Sequence, residues 1–239
     1  MIIELNFQGQ RYSADLSSGI CLSNLLSNEN SKKAFTAPDF KIEPFTSGNF
    51  VGEIAQGSSV NFRNVFLNPH GNGTHTETAE HIYDIKKPIS STLLRSHLIG
   101  QFLKLKVENG VVSGDFWKDV KEGVEAVILE AGVSSENDFS GTNPAYFQAE
   151  DIMQLVVKKV DHLLTDLPSV DPEIDEGRLS AHKAFFGPES SPRENATITE
   201  MLVIPENFEE GLYLIDIQIL NIEMDASPSR VMVYPLKKS

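Results

Sequence analysis

A histidine-rich stretch over residues 68–82, with the sequence NPHGNGTHTETAEHI, constrains this chain more than any other segment. It contains three of the six histidines, His70, His75 and His81, separated by glycines and threonines. The glycines let the backbone bend tightly, so these imidazoles and the carboxylate of Glu77 can converge. Imidazole nitrogens and carboxylate oxygens are ligands of zinc and manganese. The stretch therefore predicts a metal site; the alternative is a polar loop whose histidines are solvated or hydrogen-bonded locally.

The composition indicates a packed core and no polyanionic partner. A chain of 239 residues with 40% hydrophobic residues can bury a sizeable core. Proline and glycine mark no linker, so we expect a single domain over residues 1–239. The net charge of −14 argues against nonspecific binding to nucleic acid or anionic lipid, because both attract Lys and Arg. We therefore expect a small-molecule or protein partner, no nucleic acid and no membrane.

The N-terminal sequence, the length of the apolar stretches and the single cysteine indicate where in the cell the protein is expected. The N-terminal sequence MIIELNFQGQ lacks the basic segment and the apolar run of a signal peptide. No stretch approaches the about 18 continuous apolar residues of a spanning helix. The single cysteine, Cys21, cannot form an internal disulfide, and we interpret it as a small buried residue because no base neighbours it. These features predict a cytoplasmic protein.

Hydrophobic patterning predicts a sheet-rich fold with one clear helix. Strands are expected at residues 3–7 and 11–12 as a hairpin, 51–55 and 60–62 around a Gln56-Gly57 turn, 101–107, 126–130, 160–167, 212–220 and 231–234. Residues 110–116 predict a turn with a short strand, and Ser227-Pro228 predicts a turn. Residues 149–158 predict a helix with acidic residues at its start and lysines at its end, an order that suits the helix dipole. The strand, helix and strand between residues 126 and 167 predict some parallel pairing through a crossover.

Residues 24–48 predict an irregular surface segment that could lie over the mouth of the site. Three phenylalanines in it, Phe35, Phe40 and Phe45, have two interpretations. In the first, they line an aromatic pocket. In the second, they pack the segment against the core, which is the commoner role of such side chains. His97 and His162 lie outside the histidine-rich stretch, and we interpret both as structural.

The histidine-rich stretch resembles the signature of the cyclase family of metal-dependent hydrolases, which includes bacterial arylformamidases (kynurenine formamidases) and isatin hydrolase-like enzymes. That signature reads His-x-Gly-Thr-His-x-Asp-x-Pro-x-His. The residues that match it directly are Gly73, Thr74, His75 and His81. Three features depart from it: one extra residue follows His70, Glu77 stands at the Asp position, and Ala79 stands at the Pro position.

Later segments resemble the same family in the same order. They are Pro168-Ser-Val-Asp-Pro172, Ser180-Ala-His182, Ile198-x-Glu200-x-Leu202 and Ala226-Ser-Pro-Ser-Arg230. Glu200 follows His182 by eighteen residues, and the Pro/Ser-rich loop between them can lengthen at little entropic cost. The alternatives are that His182 is a capped surface residue and that Glu200 is a solvated strand residue.

The resemblance implies an α/β fold of the swivelling β/β/α type, a sheet-rich core with flanking helices. It also implies one or two divalent ions, zinc or manganese. The implied ligands are His70, His75, Glu77 and Glu200 for one ion, and Glu77, Glu200 and His182 for a second. His81 corresponds to the family's catalytic histidine, which moves a proton. A homodimer or larger homo-oligomer is expected on the same ground.

The implied function is hydrolysis of an amide, formamide or cyclic amide, with His81 as general acid and base. No nucleophile elbow, phosphate-binding loop or dinucleotide fingerprint indicates another class of enzyme. The alternative is a family member whose site has drifted, leaving a metal- or small-ligand-binding protein without turnover. Glu77 and the altered spacing of His70 favour that alternative. The only tryptophan, Trp117, lies far from the matched segments, so no aromatic clamp identifies a substrate.

Overall fold

The computed structural model describes all 239 residues. The strands are β1 (Ile2–Phe7), β2 (Gln10–Asp15), β3 (Ile20–Cys21), β4 (Lys41–Pro44), β5 (Thr46–Ser47), β6 (Phe50–Val51), β7 (Arg63–Phe66), β8 (His75–Thr78), β9 (His97–Lys104), β10 (Lys106–Glu108), β11 (Val111–Ser113), β12 (Ala126–Glu130), β13 (His162–Thr165), β14 (Thr197–Glu200), β15 (Gly211–Ile219), β16 (Ala226–Pro235) and β17 (Lys237–Lys238). The α-helices are α1 (Ile89–Thr92), α2 (Ala149–Val157) and α3 (Ser180–Phe186), and 3-10 helices span Leu16–Ser18, Ile54–Gln56, Ala79–His81 and Phe116–Lys118.

Seven strands close into a barrel. Their order is β15-β9-β12-β13-β14-β8-β16, and β16 pairs back with β15. Strands β9, β12, β13 and β14 run parallel, whereas β8, β15 and β16 pair antiparallel with their neighbours. The short β3 extends the sheet beyond β16. The expected α/β fold, a sheet-rich core with flanking helices, is confirmed.

The barrel strands separate two hydrophobic clusters, because successive side chains of a strand point to opposite faces. Ala126 and Ile128 belong to an inner cluster with side chains of β9, β15 and β16. Val127 and Leu129 belong to an outer cluster that also contains side chains of α2 and α3. The helices therefore cover the outer face of the barrel.

Both of these helices are crossover connections. Helix α2 joins the parallel strands β12 and β13, as expected from the sequence, and α3 joins β13 and β14. Their side chains share the outer cluster with Ile198 of β14, so α3 lies beside β14, the neighbour of the strand β8 in the histidine-rich stretch. The longest helix, α2, has nine residues, and none of the helices reaches the length of a transmembrane span.

The prediction of two strands around Gln56-Gly57 is wrong. The short β6 leads into the 3-10 helix Ile54–Gln56, and β7 begins only at Arg63. The side-chain oxygen of Asn61 accepts a hydrogen bond from the Ile54 amide at 3.0 Å, and Gly57, with a φ of +92°, follows the helical turn. Local hydrogen bonds from side chain to backbone compete here with strand pairing.

The predicted turn at Ser227-Pro228 is also wrong, because both residues lie inside β16. The chain reverses instead over residues 220–225. Residues Ala226–Pro228 pair with β8, and Pro228 lies opposite His75. Long-range pairing thus overrides the local turn preference of a Ser-Pro dipeptide.

Cys21 is exposed, which contradicts its predicted burial. It lies in the edge strand β3 opposite Met232, while the side chain of the next residue, Leu22, is fully buried. Alternation along an extended chain gives these neighbours opposite environments. Cys21 lines a mostly apolar surface cavity of about 770 Å³, to which none of the six predicted site residues contributes. Hydrophobic neighbours in sequence did not indicate which of the two residues faces inward.

Buried His162 makes the stability of the protein depend on pH. Its Nδ1 is 2.9 Å from the Thr197 hydroxyl, and burial lowers its pKa from 6.5 to about 4. Because the unfolded chain binds the proton more readily, the free energy of unfolding falls as the pH drops from about 6.5 to about 4, by about 3 kcal/mol. We expect His162→Asn, which can keep the hydrogen bond, to lose this part of the slope in urea unfolding between these pH values. The exposed His97→Asn variant is the control, and an unchanged slope in His162→Asn would contradict the assignment.

Candidate metal centre

The predicted site residues meet on the outer face of the barrel, between β8, β14 and α3. His75 and Glu77 are two residues apart in β8 and therefore share a face. Glu200, at the end of β14, lies directly opposite His75 in the sheet. Helix α3 adds His182 from the covering layer. All four side chains are buried, so the alternatives of a surface His182 and a solvated Glu200 are wrong.

A tight loop before β8 brings His70 to the same place. The buried side chain of Asn72 accepts a hydrogen bond from the Asn68 amide at 2.7 Å, and the Asn72 amide donates to the Asn68 carbonyl at 2.9 Å. Gly73 follows with a φ of +69°, a conformation that favours glycine. This loop accommodates the extra residue, and His70 Nδ1 lies 3.1 Å from Glu77 Oε2.

Glu77 is the centre of the cluster. Its Oε1 lies 2.9 Å from His182 Nε2, and its Oε2 lies 3.1 Å from His70 Nδ1, 3.8 Å from His81 Nε2 and 4.0 Å from His75 Nε2. Its side chain is 1% exposed. One carboxylate thus faces four imidazoles. The structure brings together all six residues that the sequence analysis singled out.

His75 provides the clearest test of whether a metal fits. Its Nδ1 lies 3.2 Å from the Gly73 carbonyl, to which it can only donate, so Nε2 carries the lone pair. Nε2 is buried without a hydrogen-bond partner, 3.4 Å from Glu200 Oε2 and 4.0 Å from Glu77 Oε2. An unpaired buried polar atom costs about 1–3 kcal/mol. A cation among these three groups would pair all of them, so the residues fit a divalent metal.

The donor atoms form two groups that share Glu77. In one group the donors of His75, Glu77 and Glu200 lie within 4.8 Å of one another, and in the other so do those of His70, Glu77 and His81. This grouping differs from the implied one, because His70 falls with His81. His81 is therefore placed where either a proton carrier or a ligand could act. Nitrogen and oxygen donors without thiolate fit zinc and manganese equally well.

Asp171 orients His182, a role that the sequence analysis did not assign. Asp171 Oδ2 lies 2.6 Å from His182 Nδ1, and the carboxylate also accepts hydrogen bonds from the amides of Ala181 and His182. The ring is thereby held with Nε2 towards Glu77. Carboxylates commonly orient metal-binding histidines in this way. The signal available in the sequence was its position in the Pro-Ser-Val-Asp segment.

Asp225 is the second acid that the sequence analysis missed. Its Oδ2 lies 2.7 Å from His70 Nε2 and 3.2 Å from His81 Nδ1. The two imidazole rings stack with their centroids 4.1 Å apart. Asp225 therefore fixes the orientation of both rings. In the sequence, Asp225 is marked only by its place directly before the matched Ala-Ser-Pro-Ser-Arg segment. No spacing rule links it to His70, which is 155 residues away.

The charged side chains of the cluster shift one another's pKa values. Burial alone would raise the pKa of Glu77, but the imidazoles of His81 and His182 hold it well below its usual value. Burial alone would lower the pKa of His70, whereas its hydrogen bonds to Asp225 and Glu77 raise it to about 10. Hydrogen bonds from His70 and His81 hold the pKa of Asp225 well below its usual value. The carboxylates thus demand positive charge, and a bound divalent ion would supply it while releasing imidazole protons.

Comparison with solved structures identifies the fold. A potential metal-dependent hydrolase with cyclase activity has a TM-score of 0.69 at 16% identity, with 91% of this chain and 97% of that chain covered. An isatin hydrolase bound to the product analogue thioisatinate has a TM-score of 0.65 at 15% identity, with 93% of both chains covered. Isatin hydrolase A from Labrenzia aggregata, bound to benzyl benzoate, has a TM-score of 0.68 at 13% identity, covering 93% of this chain and 96% of that chain. This chain has the fold of these hydrolases.

The predicted resemblance to the cyclase family is thereby confirmed at the level of the fold. No family model and no curated protein matches the sequence. At 13–16% identity the likeness to these structures extends to the course of the backbone and not to the choice of side chains. The assignment of metal ligands therefore rests on the geometry of this chain's own residues.

A cavity of about 270 Å³ opens onto the cluster of side chains around Glu77. His70, Glu77, His81, His182 and Glu200 line it, whereas His75 lies behind them.

The structure separates the two interpretations of the three phenylalanines. Phe35 lines the cavity over the cluster and is 42% exposed. Phe40 is buried, and Phe45 packs edge-on against Phe62 with the ring centroids 5.1 Å apart. One of the three therefore reaches the cavity over the cluster, Phe40 is buried, and Phe45 packs against the exposed Phe62 rather than against a core cluster.

Proposed function

We propose that this protein is a metal-dependent hydrolase that cleaves the C–N bond of an amide, formamide or cyclic amide. The observation that carries the proposal is the convergence of four imidazoles on buried Glu77, with His75 Nε2 left unpartnered. The metal-dependent hydrolase and the isatin hydrolases that share its fold support hydrolysis as the reaction. We expect assembly into a homodimer or larger homo-oligomer, which stays a prediction.

Five residues would hold one or two ions: His70, His75, Glu77, His182 and Glu200. A divalent ion of this kind polarises a carbonyl and lowers the pKa of a water molecule. The surrounding residues supply rigidity. Asp171 holds His182, the Val170 amide donates to Glu200 Oε1 at 3.1 Å, and the Gly73 carbonyl holds His75. Such partners keep the donor atoms in place before a ligand arrives.

His81 would move the proton. Its Nδ1 lies 3.2 Å from Asp225, and its Nε2 lies 3.8 Å from Glu77 Oε2, beyond hydrogen-bond distance; because the residue lines the cavity, Nε2 would be the nitrogen that exchanges a proton with a substrate. About a third of its side chain is exposed, at 31%, whereas His75 and His182 are almost inaccessible. In the reaction, water oxygen bonds to the carbonyl carbon, Nε2 takes the water proton, and the C–N bond breaks as that proton passes to the leaving nitrogen. An open-chain amide gives a carboxylic acid and an amine, and a cyclic amide gives one molecule that carries both groups.

The test combines metal content with a substrate panel. Protein purified without chelator is analysed for zinc and manganese, and then assayed with formanilides and lactams before and after removal and return of the metal. We expect bound metal and hydrolysis that follows metal content. Bound metal with no hydrolysis across the panel would support the alternative, a metal- or small-ligand-binding protein without turnover. Full hydrolysis in metal-free protein would contradict the proposal.

A further inference from the structure

The cavity over the cluster is lined by five carboxylates and three histidines, and by no lysine or arginine. Five of its twelve lining residues are carboxylates, namely Glu77, Asp171, Glu173, Asp175 and Glu200, and none is Lys or Arg. Five carboxylates carry five negative charges, so one divalent ion would leave three of them and two ions would leave one. The cavity thus stays negative with one ion bound, because His70 and His182 are neutral when they hold a metal, and a proton on His81 would cancel only one of the three remaining charges.

Two of these carboxylates, Glu173 and Asp175, lie outside the cluster around Glu77. Glu173 accepts hydrogen bonds from the amides of Gly141 and Asn143, at 2.5 and 3.0 Å. Asp175 accepts hydrogen bonds from the Gly177 and Leu179 amides at 2.8 and 2.6 Å. Backbone amides therefore hold both side chains in place.

No ion pair cancels the charge of these two residues. Arg178, the cation nearest to them in sequence, pairs with Glu176 at 2.9 Å and does not line the cavity. Amide partners fix the positions of Glu173 and Asp175 but carry no net charge. Both carboxylates therefore present a fixed negative charge to whatever enters.

Phe35 supplies an apolar surface in the same cavity. It has a φ of +56°, and the following Thr36 has a φ of +55°, a costly backbone conformation for a β-branched residue. The turn is held from both sides: the Thr36 amide donates to the Ser140 hydroxyl at 3.0 Å, and the Ala34 amide donates to the Gly71 carbonyl at 3.1 Å. An aromatic face beside fixed carboxylates favours a cation attached to an apolar group.

We propose that this cavity selects substrates by charge, favouring a cationic group near the scissile bond and rejecting an anionic one. Glu173 and Asp175 supply the field, and Phe35 supplies the apolar contact. This inference rests on the proposed function and names the substrate class of the same site. The buried, unpartnered His75 Nε2 lies against Glu77 and Glu200, two of the carboxylates that line the cavity, and supports a ligand at this site.

The test uses three formanilides that differ only in a para substituent: aminomethyl, hydroxymethyl and sulfomethyl. A sulfonate serves as the anion because a carboxylate would itself bind a metal. We expect kcat/KM of the metal-loaded protein at neutral pH and low salt to fall from the cation to the neutral compound to the anion, by at least about tenfold overall. The ratio should shrink as salt is added. Equal values for the three compounds, or the reverse order, would overturn the inference.

Variants connect the selectivity to the named residues. In the double variant Glu173→Gln/Asp175→Asn, kcat/KM for the cationic compound should exceed that for the anionic compound by no more than about threefold. The reason is that this variant lacks two negative charges near the substrate. The control Glu206→Gln/Glu209→Gln removes two charges from exposed positions outside the cavity and should keep the parent ratio. If the first variant keeps the selectivity of the parent, or if the control loses it to the same extent, Glu173 and Asp175 are not its cause.

Failure of the proposed function can be told apart from failure of this inference. If no formanilide is cleaved, the hydrolase assignment fails, and the intact compounds then serve as ligands. Their dissociation constants, measured by titration calorimetry with the same protein, decide the selectivity. Tighter binding of the cation than of the anion supports the inference, and equal or reversed affinities overturn it.

Discussion

Protein carrying His75→Ala is expected to lose its divalent metal. His75 Nε2 is buried, has no protein partner and faces Glu77 and Glu200, so its removal deletes a donor that no nearby side chain replaces. Loss of residues that only support ligands weakens metal binding by about 10–100-fold, so loss of a ligand should exceed the upper end of that range. Elemental analysis after dialysis without chelator measures the effect, and Glu200→Ala should behave in the same way.

The matched control for that experiment is His97→Ala. His97 is an exposed histidine at the start of β9, outside the cluster, and its loss should leave metal content unchanged. Circular dichroism of each variant checks that the fold persists, because the barrel core is formed by apolar side chains on the other face of the strands. Parent levels of zinc or manganese in both His75→Ala and Glu200→Ala would mean that the metal lies elsewhere.

His81→Ala should have the opposite combination of effects, with metal retained and turnover lost. Its Nδ1 is oriented by Asp225, its ring lines the cavity, and its side chain is the most exposed of the four around Glu77. Loss of an acid–base group costs about 10²–10⁴-fold in rate. The measurements are kcat on the best formanilide, metal content, and a pH–rate profile in which the variant lacks a limb that the parent shows.

The structure also places His81 within reach of a metal held by His70 and Glu77, so the experiment distinguishes two definite roles. Loss of metal in His81→Ala would make His81 a ligand and would remove its assigned catalytic role. Retained metal with parent turnover would leave His81 without either role. The residue after Thr78 at the family's Pro position is Ala79, the first residue of the 3-10 helix that ends at His81, so a helical turn replaces the rigidity of a proline.

Residue types and the glycines made the inner part of the site predictable, although no strand was expected over residues 75–78, where the structure has β8. His75 and Glu77 share a face because side chains alternate along a strand, and the small residues before them indicated a tight loop. His182 and Glu200 came only from the resemblance, since nothing local distinguishes them from ordinary surface residues. Their burial beside Glu77 follows from the crossover that lays α3 over β14 and β8.

Other features could not be read from local sequence because distant segments decide them. Asp225 meets His70 only because β16 pairs with β8 in the closed barrel. The same pairing draws Ser227 and Pro228 into a strand in spite of their turn preference, and the edge position of β3 exposes Cys21. Each of these outcomes depends on which strands become neighbours, and that depends on the whole chain.

By itself, the sequence determined the periodic elements, the set of imidazole and carboxylate donors, and the strong negative charge. These properties are local or additive: alternation defines the face of a strand, and residue type defines donor chemistry. Only the tertiary structure decided that four imidazoles surround one buried carboxylate, that His70 falls with His81, and that Glu173 and Asp175 line the same cavity without a compensating cation. Distances of a few ångströms between residues far apart in sequence depend on barrel closure and crossover packing, which no short window of sequence encodes.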